Sequence, residues 1–273
     1  ERTPNNIAVR CDGLEGSLTY SELNRRSNQL ARQLRNRGVT VNTVAGIMIK
    51  RSFELVTGIF AILKAGGAYM AIGLTYPDNR VDFMANDCQA VVILSDGTRD
   101  VPPVSGLMTD IRDENLYDGN HENLEPVSCS TDPAAVFYTS GSTGNPKGVV
   151  VEHKGIVNRL YWYDQHFPMQ ENDSILQQTP ATFDVSMWEL FSWCFSGASL
   201  YFLAPTKGTL AFHSTEAAIN GQVTHMHIPP VFQLPAMEYI EKNILFALKR
   251  TIRANLPNHI FTIIFWILIS LNA

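Results

Sequence analysis

Cysteine is scarce in this chain of 273 residues, and Cys11, Cys88, Cys129 and Cys194 are scattered, with no Cys-x-x-Cys pair and no histidine at zinc spacing. That argues against a disulfide scaffold and against structural zinc, and the thiols read as reduced. Positive charge is also in short supply. Lys and Arg number 21 against 26 Asp and Glu, a formal net charge of −5, with no basic cluster. The sequence therefore offers no electrostatic footprint for nucleic acid or an anionic membrane. The start, Glu1-Arg2-Thr3-Pro4, has neither an initiator methionine nor the apolar stretch of a signal peptide. The expectation is a cytoplasmic chain that begins inside a longer one. The apolar run 260–271 covers twelve residues, roughly 18 Å as a helix against a hydrocarbon core of about 30 Å, so a membrane anchor is the weaker reading of it. No internal repeat or low-complexity tract occurs.

What is present is a chain with 45% apolar residues, enough for a sizeable core. Thr19 and Glu22 are spaced as a capping box, Leu23, Leu30 and Leu34 recur on one helical face, and Gly38 stands just past its end. The arginines of that helix, Arg25, Arg26, Arg32, Arg35 and Arg37, read as a solvated face. A buried strand over 44–49 follows, then a helix through Phe53, Val56, Ile59, Phe60 and Leu63 that ends at Gly66 and Gly67. Pro77 opens another helix, with Val81 and Met84 inward, before a strand over 90–94. Residues 96–132, rich in Asp, Asn, Pro and Ser, read as a surface excursion with a short strand near 106–109, their acids solvated and not metal-binding. Further on, Ile156, Val157, Leu160 and Tyr161 mark a helix preceded by His153, which either caps and packs or takes part in chemistry. Strands are expected over 175–178, 199–203 and 222–228, with a weak helix over 214–219. His225 and His227 share a strand face but have no third metal ligand nearby. The alternation predicts a layered α/β fold.

Between apolar runs at 134–137 and 149–151 lies Thr139-Ser140-Gly141-Ser142-Thr143-Gly144-Asn145-Pro146-Lys147-Gly148. Glycines let backbone N–H groups approach an anion and point inward together, the four hydroxyls of Thr139, Ser140, Ser142 and Thr143 donate further bonds, and Lys147 supplies a point charge. The same residues also make ordinary surface turns. The spacing is neither that of a Walker loop nor that of a dinucleotide-binding helix start. It resembles, almost letter for letter, the Thr-Ser-Gly-Ser-Thr-Gly-x-Pro-Lys-Gly signature of the adenylate-forming (AMP-binding) enzymes. The resemblance implies that Thr139, Ser140, Gly141, Ser142, Thr143 and Gly144 grip the pyrophosphate portion of ATP, with Lys147 as the catalytic cation. Residues 63–72 and Tyr76-Pro77 are similar to a second family motif, except that Ala71, Gly73 and Leu74 replace Pro, Asp and Pro, which predicts a softened turn.

The string Phe183-Asp184-Val185-Ser186-Met187-Trp188-Glu189 leads into a further helix through Leu190, Phe191 and Phe195. On its own, Asp184 is an ordinary N-cap or first-turn acid. The string nevertheless resembles the Phe-Asp-x-Ser-x-Trp-Glu motif of the adenylation domains of nonribosomal peptide synthetases. That resemblance implies an amino-acid substrate whose ammonium pairs with Asp184, with Val185 and Trp188 lining the side-chain pocket. A buried cation needs a paired anion, so the assignment is chemically sound. A carboxylic-acid or acyl-CoA ligase of the same superfamily fits less well, since a fatty or aryl acid carries no ammonium. The implied activity is ATP-dependent formation of an aminoacyl-adenylate for secondary metabolism. The implied partners are the carrier-protein and condensation domains of a larger synthetase, and Mg²⁺ is implied beside ATP.

The family pattern runs over residues 1–243, which are expected to form an incomplete large N-terminal subdomain of mixed sheets layered with helices. The tail 244–273 departs from it and reads as translated sequence from an interrupted gene or unspliced segment. No Asn-x-Tyr-Gly-Pro-Thr-Glu string and no Thr-Gly-Asp string for ribose occurs, nor the lysine of the small C-terminal domain. A non-catalytic remnant or ligand-binding fragment is therefore the alternative to an enzyme.

Overall fold

The computed structural model describes residues 2–11, 13, 16–99, 106–140, 146–203 and 221–227. The expected helix 214–219, the tail 244–273 and the boundary at 243 lie outside the described residues. Strands β1 (Ile7–Cys11) and β2 (Ser17–Thr19) form a hairpin that runs directly into helix α1 (Tyr20–Asn36). The predicted capping box is formed. Glu22 N–H donates to Thr19 Oγ1 at 3.2 Å, while Thr19 N–H donates to Glu22 Oε2 at 2.8 Å. Thr19→Ala is expected to cost about 1 kcal/mol, the usual worth of a side-chain N-cap, read as a lower urea midpoint at unchanged slope. The Thr19 amide and hydroxyl hold the Glu22 carboxyl below its ordinary value. Its contribution is thus present above the normal glutamate pKa and is lost as pH falls through the depressed one.

Strand β3 (Val44–Met48) and helix α2 (Phe53–Ala65) follow as predicted. Gly66 ends α2 in the left-handed region at φ 108°, where a Cβ would lie 2.6 Å from Val127. Next come β4 (Ala68–Ala71), α3 (Asp78–Asp87), β5 (Val92–Ser95) and β6 (Met108–Asp110). The turn after β4 is tight although it lacks the family's prolines. The Tyr76 ring packs where a Gly73 Cβ would stand, at 2.7 Å, and the Arg80 guanidinium covers that ring at 4.1 Å.

Strands β7 (Pro133–Thr139) and β8 (Lys147–Glu152) lead to helix α4 (His153–His166), then β9 (Ser174–Gln177), α5 (Ser186–Phe191), α6 (Trp193–Ser196) and β10 (Ser199–Phe202). One sheet has the order β6-β5-β3-β4-β7-β8, parallel except for β8. The other has the order β2-β1-β10-β9. The strand expected over 222–228 is reduced, among the described residues, to a single bridge between Ile175 and His225. Residues from both sheets and from α1, α2 and α5 share one core, including Val9, Leu200, Ile47, Leu94, Leu30 and Ile59. On its other face the six-stranded sheet buries Met48, Met70 and Ile93 against Val81 and Met84 of α3. Mixed sheets layered with helices are the architecture expected from the sequence. The parallel strands read as continuous apolar runs because both their faces are covered.

Of the five arginines expected on a solvated face, Arg25 and Arg37 are exposed, whereas Arg26, Arg32 and Arg35 are partly buried and engaged. Arg35 donates to the carbonyls of Lys64, Ala65 and Glu125 (3.1, 3.1 and 2.9 Å), and Arg32 donates to that of Glu122 (2.8 Å). Arg26 lies 3.9 Å over the Tyr117 ring. The excursion after β6 has an irregular backbone whose carbonyls need donors, and the arginine row supplies them. Helix α4 forms over the stretch that the sequence marks. Ile156 and Leu160 are buried, but Val157 and Tyr161 are more than half exposed.

Candidate functional site

Strand β7 stops at Thr139 and β8 starts at Lys147, and these two residues are partners in register. Both are exposed, as is Ser140. The Thr139 hydroxyl reaches the Lys147 carbonyl at 3.5 Å. Behind them the Tyr138 ring lies where a Gly148 Cβ would meet it at 3.2 Å, and its hydroxyl donates to Asp87 at 2.6 Å. The antiparallel pair therefore presents two hydroxyls and an ammonium at one tip. The predicted Gly141, Ser142, Thr143 and Gly144 lie outside the described residues.

The second predicted group follows β9. Between Gln177 and α5 the chain makes a short irregular passage, with Phe183 N–H donating to Pro180 O (3.0 Å) and Ser186 N–H and Oγ both donating to Phe183 O (3.0 and 2.6 Å). That turn delays the helix, so Asp184 does not cap it, contrary to the ordinary reading of its sequence position. Its side chain is 60% exposed, and its charged neighbour among the described residues is Arg159, at 3.9 Å. Val185 is partly buried. Trp188 is buried, its ring 5.2 Å from that of Tyr163.

Glu189, to which the sequence assigned no task, is the most heavily bonded side chain of this region. It is fully buried. Its Oε2 accepts from Gln177 Nε2, Gln178 N–H and Thr179 N–H at 3.2, 3.2 and 3.0 Å, and its Oε1 accepts from the Thr179 hydroxyl at 2.7 Å. Burial pushes the carboxyl up to about 7, against the pull of Thr179, Gln178 and the Arg51 guanidinium. Arg51 follows β3 and donates to Gln178 O at 2.6 Å, while Gln178 Nε2 donates to His227 O.

These bonds join the carboxyl ends of the two sheets. Pairing of Ala45 with Tyr69, and of Tyr69 with Ala135, carried four residues along the parallel strands, sets Thr139 level with Ile49. Two strand spacings, about 10 Å, separate them. Arg51, two residues beyond Ile49, touches the passage that leads to Asp184. Open α/β sheets bind ligands outside the carboxyl ends of their strands; Thr139 and Lys147 stand at that end, and the passage that leads to Asp184 starts there.

The histidines stand elsewhere. His153 begins α4 at the amino end of β7, where Glu152 pairs with Pro133, six residues or about 20 Å of strand from Thr139. It is half-buried, which lowers its pKa, and it lines a hollow of about 510 Å³ with Cys129, Lys154, Val157 and Tyr161. Packing, the first of its two readings, is what the geometry favours. His225 is buried and bonds Thr224 Oγ1 through Nδ1 at 2.9 Å. Among the described residues no group of three or more His, Cys, Asp or Glu is placed to hold a metal ion, so no residue is assigned to Mg²⁺. No helix among them is long and apolar enough to cross a membrane.

Known proteins resemble this chain in sequence and in fold. Zwittermicin A synthase ZmaJ of Bacillus cereus is 43% identical over 242 residues, 88% of this chain and 46% of its own length. The chain thus spans about half of that relative. Tyrocidine synthase 3 of Brevibacillus parabrevis is 40% identical over 230 residues, 84% of this chain and only 4% of that much longer protein. Among solved structures, the nonribosomal peptide synthetase FmoA3 in its AMPPNP-bound form superimposes with a TM-score of 0.80 at 29% identity, over 88% of this chain and 25% of that one. FmoA3 is also known in an α-methyl-L-serine-AMP bound form. The N-terminal subdomain of NpsA from Klebsiella oxytoca, in complex with 3-hydroxybenzoyl-AMSN, gives 0.72 at 27% identity over 83% of this chain and 57% of that one. Residues 1–249 match the family described as AMP-binding enzyme, and with these relatives the chain belongs to that family, among the adenylation domains of nonribosomal peptide synthetases.

Proposed function

We propose that this chain binds ATP and an amino acid for formation of an aminoacyl-adenylate. In that reaction a carboxylate oxygen bonds to the α-phosphorus, and the bond from that phosphorus to the pyrophosphate oxygen breaks. The observation that supports the reading is the junction of the two carboxyl ends through Arg51 and Gln178, which starts the passage to Asp184 at the edge where β3 and β7 end. Thr139, Ser140 and Lys147, with Gly141, Ser142, Thr143 and Gly144, would hold the β- and γ-phosphates, placing donors where charge accumulates on the leaving pyrophosphate. The exposed hydroxyl and ammonium at the strand tip suit an anion. Asp184 would pair with the substrate ammonium, beside Val185 and Trp188. An aryl-acid ligand like that of NpsA is the second reading, and the exposed carboxylate of Asp184 favours an amine instead.

Adenylation of this kind supplies the acyl group for a carrier protein's phosphopantetheine thiol, and carrier and condensation domains are the partners we assign to the longer protein. The 273 residues carry no family string for ribose, for the metal or for the C-terminal lysine. We therefore assign residues 1–243 the binding and orientation of both substrates and not the complete turnover. Calorimetric titration with ATP, with the proteinogenic amino acids and with aryl acids tests the reading, and binding of aryl acids alone would refute it. Amino-acid-dependent exchange of labelled pyrophosphate into ATP by the chain alone would show the turnover we withhold. Lys147→Ala is expected to weaken ATP about ten- to a hundredfold, the worth of one charged hydrogen bond, without changing amino-acid affinity.

A further inference from the structure

Four donors converge on the carboxylate of Glu189, and all of them belong to Gln177, Gln178 and Thr179. Three come from the first two residues beyond β9, where the strand ladder no longer holds the backbone. In its ionised form the carboxylate is acceptor-only, so it matches this donor set without a leftover hydrogen. From the other side, Arg51 takes the Gln178 carbonyl at 2.6 Å and brings positive charge towards the same carboxylate. Helix α5 thus fastens the strand end that precedes it, and the six-stranded sheet fastens it again. Asp184 lies between these anchors and the first turn of α5, and the loop it rides on is short.

We propose that Glu189 is a positioning residue for the amine site: its buried carboxylate fixes the loop 178–184 against the carboxyl end of the six-stranded sheet and thereby sets the place of the Asp184 carboxylate. The inference rests on the amino-acid reading given above and supplies the support that reading needs. A flexible Asp184 on an unanchored loop would spend binding free energy on ordering itself. The oriented carboxylate meets its ligand with that ordering already complete.

Glu189→Gln keeps size and shape but turns an NH₂ towards donors. Thr179→Val removes one donor from the opposite side at nearly constant volume and carries little risk to the fold. In the full chain, amide hydrogen exchange of residues 178–185 is expected to quicken about tenfold or more in Glu189→Gln and less in Thr179→Val, while β3 and β7 keep their protection. Titration with ATP and with the proteinogenic amino acid that the wild-type chain binds best is then expected to show amino-acid affinity lowered about tenfold and ATP affinity unchanged. Unchanged exchange at 178–185 would overturn the proposal. So would a loosened loop with full amino-acid affinity, or a uniform loss of protection across both sheets. A wild-type chain that binds no amino acid refutes the parent reading, and the exchange of 178–185 then decides alone whether Glu189 fixes the loop.

Discussion

Asp184→Ala is expected to lower amino-acid affinity by roughly one to three powers of ten and to leave ATP affinity within a factor of about two, since one member of a closed-over charge pair is worth roughly 2 to 5 kcal/mol. The carboxylate is 60% exposed, and at 3.9 Å its contact with Arg159 is long for a salt bridge. An exposed pair of that kind contributes about 0 to 1 kcal/mol to folding, so the variant should unfold at nearly the wild-type temperature. The two measurements separate the possible roles. A carboxylate kept for structure would move the melting temperature and spare the ligand, whereas one kept for the ammonium does the reverse. Arg159 competes with the ligand for the same oxygen, and Arg159→Ala is therefore expected to hold or tighten amino-acid binding. Retention of full amino-acid affinity in Asp184→Ala would remove the residue from the site.

Much of the layered fold was legible because its signals are local. The capping box at Thr19 and Glu22, the glycine end of α2, the proline start of α3 and the apolar runs of β7 and β8 each depend on neighbours within a few positions. The misreadings concern what covers a surface. A helical wheel places Arg32 and Arg35 on the polar side of α1, but it contains nothing about the irregular carbonyls of residues 122 and 125 that lie over that side. Periodicity likewise identifies α4 and says nothing of how much of its apolar stripe is packed: Ile156 and Leu160 are buried, whereas Val157 and Tyr161 are exposed. Taken without its motif, Asp184 reads as a cap, because the turn through Phe183 and Ser186, which delays the helix, has no strong sequence mark. Glu189 was visible only as a letter of a motif. A buried acid within an apolar helix start, Met187-Trp188-Glu189-Leu190-Phe191, is the signal that would have found it, since such a group requires donors from elsewhere. The proposed phosphate loop is the converse case, since its motif stands out in sequence while Gly141 to Gly144 lie outside the described structure.

Trp193→Ala is expected to cost about 3 to 5 kcal/mol of stability, as large-to-small changes at buried aromatic sites do, and to lower the melting temperature by on the order of 10 °C. Trp193 is wholly buried. Its ring lies 5.4 Å from Tyr20 and 6.1 Å from Phe60, and its indole N–H donates to Leu190 O at 2.9 Å. The Tyr20 hydroxyl, in turn, donates to Ala198 O at 2.6 Å and reaches Trp193 O at 3.1 Å. From Phe60 the ring contacts continue through Phe191 (5.8 Å) and Tyr69 (6.4 Å) to Phe137 (6.2 Å). This column begins on α1 beside the four-stranded sheet and ends on β7, two residues before Thr139. Removing its second ring takes away apolar burial, two tilted ring contacts and a hydrogen-bonded indole at once, and leaves a cavity that the surrounding strands cannot close. Trp193→Phe keeps most of the volume and loses the N–H, so its cost should be less than half as large. Because the column fixes the distance between the layers and not the chemistry at their edge, ATP affinity measured well below the lowered melting temperature should persist in both variants. A loss under about 1 kcal/mol in Trp193→Ala would mean that the layers are joined elsewhere, and the junction of Arg51 with Gln178 would then have to carry that task.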